Sequence, residues 1–210
     1  MSDEAELNID AWREAWRDLG CTGSDSEFRV LVARYAEAHR CYHTTQHLAE
    51  CLGLWRTART LASRPGEVAI ALWFHDAVYD TKRQDNEERS GDLARDALTR
   101  AGLSPEVGDR VHSLIMATRH DAVPTDGDMQ LLVDIDLSIL GADAARFDEY
   151  ERQVREEYAW VPSMLFRRTR RKILQQFLDR PRIFQTEHFY QARESAARQN
   201  LQRSVTQLAG

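Results

Sequence analysis

Apolar positions along the chain recur every three or four residues almost throughout, the period of amphipathic helices. Residues 9–19 carry Ile9, Trp12, Trp16 and Leu19, and residues 25–38 carry Phe28, Leu31, Val32 and Tyr35 behind a possible cap at Ser24 or Asp25. Residues 45–61 continue with Leu48, Cys51, Leu52 and Trp55. Pro65-Gly66 reads as a break. Residues 67–79 are apolar almost without interruption until His75-Asp76, and their length and alanine content favour a buried helix over a buried strand. A polar loop over 80–86 leads to an amphipathic helix over 86–101, capped by Asp85 or Asn86 and ended by Gly102. Pro105 opens a helix over 105–118. After a second polar loop (119–128) comes another strongly apolar helix, 129–140, and then three more, roughly 142–160, 163–178 and 186–207. No repeat or flexible linker interrupts the series. The pattern predicts one all-α domain over residues 1–210, a bundle of nine or ten helices. Its core spans about 25–141, and the helices of 142–207 pack on it.

Composition agrees with that picture, with 42% apolar and 30% charged residues, only 10 glycines and 5 prolines. The net charge of -6 weighs against general nucleic-acid or anionic-membrane binding. The cysteines Cys21, Cys41 and Cys51 lack metal-knuckle spacing, and an odd number of them suits a reducing compartment. Residues 1–8 are acidic and polar, unlike a targeting segment, and no apolar run approaches the ~20 residues of a membrane span. These features lead to an expectation of a cytoplasmic protein with no nucleic-acid or membrane partner.

The charged residues inside the two apolar helices change the picture. An ionised carboxylate rarely sits in a buried helix without a partner, yet Asp76 lies on one such stretch and Asp134 and Asp136 on another. A divalent cation offers compensation, and the mix of imidazole and carboxylate suits Mn, Fe, Co, Ni or Zn better than Ca. On a helix His75 and Asp76 stand about 100° apart and can share one ion. The plainer alternative is a core histidine bonded to a capping or salt-bridged aspartate. His43 and His47 share a face if their helix starts by residue 43. Asp134 and Asp136 are about 200° apart, so one is a ligand candidate and the other a supporting acceptor.

In order along the chain, His…His-Asp…Asp on helices is the arrangement of the HD superfamily of metal-dependent phosphohydrolases, which this sequence resembles. Within it the chain resembles an uncharacterised bacterial branch. The matching stretches are Tyr42-His43-x-x-x-His47, Trp73-Phe74-His75-Asp76-Ala77-Val78-Tyr79-Asp80, Asp85-Asn86-Glu87-Glu88-x-Ser90, Ala117-Thr118-x-His120 and Asp134-x-Asp136-Leu137-Ser138-Ile139-Leu140-Gly141. Arg155-Glu156-Glu157-Tyr158 and Ala197-Arg198-x-Asn200-Leu201 follow, and the resemblance runs over residues 8–205. Where the branch usually has Gly before an Arg, this chain has Thr169-Arg170, which weakens the transfer of a substrate contact there.

The resemblance implies an HD-type helical domain and metal-dependent hydrolysis of a phosphate ester or anhydride in a small phosphorylated metabolite or nucleotide. His47, His75, Asp76 and Asp136 are then the ligands of a divalent ion, with Mg joining the metals above. His43, Asp134 and His120 are alternative or supporting groups, and His120 with His112 could help hold a second metal. Asp76 and Glu87 are the catalytic candidates. Lys82, Arg83, Arg119 and Arg170 are candidates for meeting phosphate charge, and a bidentate arginine suits that role best. Two other readings are a non-catalytic helical module that binds a nucleotide or metal, and a di-iron HD-type oxygenase. The run Arg167, Arg168, Arg170, Arg171, Lys172 reads as the solvated face of a helix whose apolar stripe is Phe166, Ile173, Leu174 and Phe177. The five tryptophans and apolar helices leave room for a homodimer.

Overall fold

The structure, a computed structural model, describes residues 7–209, so most of the acidic N-terminal stretch lies outside the described residues. The described chain is all-helical, with ten α-helices and no strand. They are α1 Ile9–Asp18, α2 Asp25–Tyr35, α3 Thr45–Ala58, α4 Pro65–Phe74, α5 Asn86–Arg100, α6 Pro105–Met116, α7 Gly127–Asp136, α8 Ala144–Glu157, α9 Ser163–Leu178 and α10 Glu187–Ala209. Short 3-10 turns follow α3, α6 and α7 at Arg59–Leu61, Ala117–Arg119 and Leu137–Gly141. Asn8, Ser24, Thr44 and Asp143 accept from the first free N–H groups of α1, α2, α3 and α8. Asp85 and Ser104 stand at the starts of α5 and α6 without a side-chain cap bond, so the expected cap at Asp85 does not form. The chain divides into two compact units, Met1–Val133 and Asp134–Gly210.

Two boundaries differ from the pattern in ways that matter. Pro65 is the first residue of α4 and not a break. Its missing N–H falls where a helix has no internal acceptor, and Gly66 lets the helix start close to α1: a Cβ there would lie 2.9 Å from the Asp18 carbonyl carbon. At its other end α4 stops at Phe74, so His75 is its C-cap residue and Asp76 lies in the turn beyond. The helical angle between the pair therefore does not apply.

In the first unit α4 is the spine. Every residue from 66 to 74 is buried, and the helix packs against α1, α3, α5 and α6. Trp73 meets Trp12 edge-on with ring centres 5.4 Å apart and Phe28 at 5.9 Å, while Phe74 lies 5.9 Å from Trp12. Burying each such ring stabilises the fold by about 2–3 kcal/mol. The two residues before His75-Asp76 are thus anchored in the aromatic core of the unit.

The second unit has its own ties. Asn200 on α10 donates to the carbonyls of Leu140 and Ala142, and Arg198 donates to those of Leu178, Arg180 and Pro181. Glu194 accepts from the N–H groups of Ile183 and Phe184. Gly141 is needed because a Cβ would stand 2.8 Å from the Arg193 carbonyl oxygen. The late motif residues Arg198 and Asn200 therefore serve the fold.

Candidate metal centre

Two segments of the first unit bring the candidate ligands together. Thr44 caps α3, which places His47 in its first turn and Cys51 one turn later on the same face, both buried. The turn after α4 supplies His75, 1% exposed, and Asp76. That turn is held from several sides. The buried Arg40 side chain donates to the carbonyls of Asp76 at 2.6 Å, Ala77 at 3.2 Å and His43 at 3.2 Å. The Tyr35 hydroxyl donates to the Trp73 carbonyl and accepts from the Asp76 N–H. Ser90 and Asn86, from the 85–90 motif, clamp Val78 and Asp80 through backbone contacts.

The three polar atoms converge. His47 Nε2 and His75 Nε2 are 3.1 Å apart, and Asp76 Oδ2 lies 3.2 Å from His75 Nε2 and 3.6 Å from His47 Nε2. His75 Nδ1 is 2.8 Å from the Leu72 carbonyl oxygen. A carbonyl only accepts, so Nδ1 carries a proton, and in the neutral ring Nε2 presents a lone pair. His47 Nδ1 is 3.0 Å from the buried Tyr42 hydroxyl. If that hydroxyl accepts, His47 Nε2 is a lone pair as well. If it donates, one proton is left among three acceptors. In either case two imidazole nitrogens and a carboxylate oxygen converge in a buried place, a donor set suited to holding a cation.

The donor set passes the test of fit. Donors ~2.1 Å from one ion and about 90–110° apart stand roughly 3.0–3.4 Å from each other, close to the separations found here. His47, Cys51 and His75 each offer a ligand atom within 4.8 Å of the others. The Cys51 Sγ is 3.8 Å from both ring nitrogens of His47, so it lies over the ring. Burial opposes the charged form of Asp76. His75, His43 and His47 outweigh it, and its carboxyl is held well below the usual carboxylate range.

His43 precedes α3, so it does not share a helical face with His47. Its ring stacks on Tyr79 with centres 4.0 Å apart, and it is one of the histidines that favour the ionised form of Asp76. Glu87, in the first turn of α5, is lifted above the ordinary glutamate range by burial first and then by the charge of Asp76. Its own N–H, Arg119 and His120 work the other way. His120 has a left-handed backbone (φ 57), uncommon for a residue with a Cβ and often found at functional sites. His112 packs against Gly91 and lies 3.5 Å from Asp92. Arg83 pairs with Asp85 and Arg119 with Asp121, all exposed enough to exchange, and Lys82 is exposed.

The remaining candidates belong to the second unit. Asp136 ends α7 and is half-buried. Both oxygens of Asp134 accept from the segment before α10: Gln185 N at 2.8 Å, Thr186 N at 2.7 Å and Thr186 Oγ1 at 2.6 Å. The carboxylate thus braces the start of α10, a role different from orienting a histidine or pairing with an arginine. Arg170 donates twice to Glu151 and lies 5.0 Å from the Tyr150 ring, with a side chain only 10% exposed. As placed, it is held within the unit and does not present its guanidinium to a phosphate.

Reasoning from the sequence missed Arg40, Tyr35 and Cys51 as neighbours of the centre. Cys51 carried a signal, four residues after His47. Arg40 and Tyr35 carried none, because their contacts reach 36 to 41 residues along the chain. The chain matches no protein-family model, no curated protein and no solved structure, so the resemblance to the HD superfamily rests on the sequence motifs themselves.

Proposed function

We propose that this chain is a metal-dependent phosphohydrolase of the HD type, acting on a small phosphorylated metabolite or nucleotide. The observation that carries the reading is the convergence of His47 Nε2, His75 Nε2 and Asp76 Oδ2, with the His75 proton fixed on the far side of the ring. Asp136 is the fourth ligand in this proposal, on the strength of the resemblance. Imidazole and carboxylate together suit Mn, Fe, Co, Ni or Zn. Once bound, the ion supplies Lewis acidity and a water of lowered pKa.

The chain's own groups do the rest. Glu87 holds a proton at its carboxyl to higher pH than an ordinary glutamate and is suited to protonate the leaving oxygen. Lys82 and Arg119 meet the charge of the phosphate, and Arg83 can join them by leaving Asp85. Arg170 takes no part. No disulfide joins the cysteines, which suits a cytoplasmic location, and among the described residues no helix is long and apolar enough to cross a membrane.

The test is hydrolysis of p-nitrophenyl phosphate and a set of nucleotides across a metal panel. The wild type should turn over at least one substrate, and His75→Ala and Asp76→Ala should abolish turnover. Activity that survives either change overturns the proposal. Tight nucleotide binding without turnover on any metal would favour a non-catalytic module.

A further inference from the structure

Helix α9 carries Arg167, Arg168, Arg170, Arg171 and Lys172 and no carboxylate, in a chain of net charge -6. Arg170 faces inward to Glu151, and Arg167 donates to the Gln207 carbonyl. Arg168, Arg171 and Lys172 are exposed, and no carboxylate pairs with them among the described residues. Seven large apolar side chains stand out into solvent among the described residues; Met164 and Leu165 lie in the first turn of α9, Trp160 in the turn before it and Ile173 further along the helix. Met164 is 85% exposed. On a helical projection Met164 and Leu165 occupy the first turn, and Arg168, Arg171 and Lys172 follow on the same side one and two turns later. Trp160 lies in the turn between α8 and α9. The helix therefore presents an apolar tip leading into a basic stripe. A groove of about 850 Å³ runs beside the stripe to the last residues of α10, and its one carboxylate, Asp179, is engaged by Gln175.

A solvated face accounts for the cations but not for Met164 and Leu165 exposed side by side at the helix start. A nucleic acid would meet the cations but not the exposed Met164 and Leu165. A second copy would bring a like-charged stripe against this one. An anionic lipid surface satisfies both halves, because aliphatic and indole side chains enter the boundary of the acyl chains while arginine and lysine remain among the headgroups. We infer that the exposed face of α9, with Trp160, docks the protein on anionic lipid bilayers as a peripheral contact. The inference is independent of the metal centre and runs against the expectation drawn from net charge alone.

Sedimentation with vesicles tests it. The protein should pellet with phosphatidylglycerol–phosphatidylcholine vesicles, stay in solution with phosphatidylcholine alone, and be released by high salt. Each cation near an anionic surface contributes roughly fivefold in affinity, so Arg168→Gln, Arg171→Gln and Lys172→Gln together should weaken binding about 100-fold. Met164→Ser with Leu165→Ser should also weaken it, at unchanged helical circular dichroism. Tryptophan emission should shift to the blue on binding, and Trp160→Phe should remove the shift. Equal binding by wild type and variants, or no binding at all, overturns the inference. So does preferential capture of single-stranded RNA over the vesicles, or a dimer in solution that the Met164→Ser, Leu165→Ser pair dissociates.

Discussion

Tyr42→Phe removes one oxygen from a buried ring and leaves its shape. The lost contact is the 3.0 Å hydrogen bond to His47 Nδ1. In metal sites such a bond holds the ligand ring in orientation and fixes which nitrogen bears the proton. A buried hydrogen bond contributes about 1 kcal/mol, a factor of about five in an equilibrium constant. Losing a ring-orienting partner typically weakens metal binding by about 10–100-fold. The expected result is a roughly tenfold weaker Kd for the preferred metal, read by competition with a chromogenic chelator, and a loss of folding stability of about 1 kcal/mol. Wild-type affinity in Tyr42→Phe, with His47→Ala unable to bind, would refute the reasoning, because His47 would then coordinate without support from Tyr42.

Three further outcomes are expected. Arg40→Met leaves three carbonyls of the 43 and 76–77 segments without their donor, and should cost about 3 kcal/mol in chemical denaturation and weaken metal binding with it. Asp134→Ala frees the Gln185 and Thr186 donors and should cost about 2–3 kcal/mol of stability while leaving the metal Kd of the folded protein unchanged; a lost metal site in a well-folded variant would restore Asp134 as a supporting ligand. Burial raises the Glu87 carboxyl, and an acid works while protonated, so activity should fall as pH rises through that elevated value. Glu87→Gln should remove this limb and lower kcat about 100-fold on substrates with poor leaving groups.

The helices were legible because their signal is local. A period of three to four residues, a capping oxygen and a proline are all read within one turn, and α9 falls on the residues expected of it. The end of α4 was not legible: an apolar run ending in His-Asp does not reveal that the helix stops at Phe74, where Tyr35 takes the Trp73 carbonyl and the Asp76 N–H and Arg40 takes the Asp76 and Ala77 carbonyls of the turn beyond. His47, His75 and Asp76 could be picked from residue type and order, and the structure brings them within 3.6 Å. The cations were the least legible. Whether an arginine meets solvent or a carboxylate depends on partners such as Glu151, 19 residues from Arg170. The same difficulty hid the α9 face, since no sequence pattern tells an exposed methionine from a core one.

Metal binding to the stripped protein by equilibrium dialysis tests the central claim most directly. With Mn, Co or Zn in turn, the wild type should take up about one ion per chain for at least one metal. His47→Ala and His75→Ala, still folded by circular dichroism, should take up none at the same free concentration. A wild type that binds no metal, or variants that bind as the wild type does, would contradict the account.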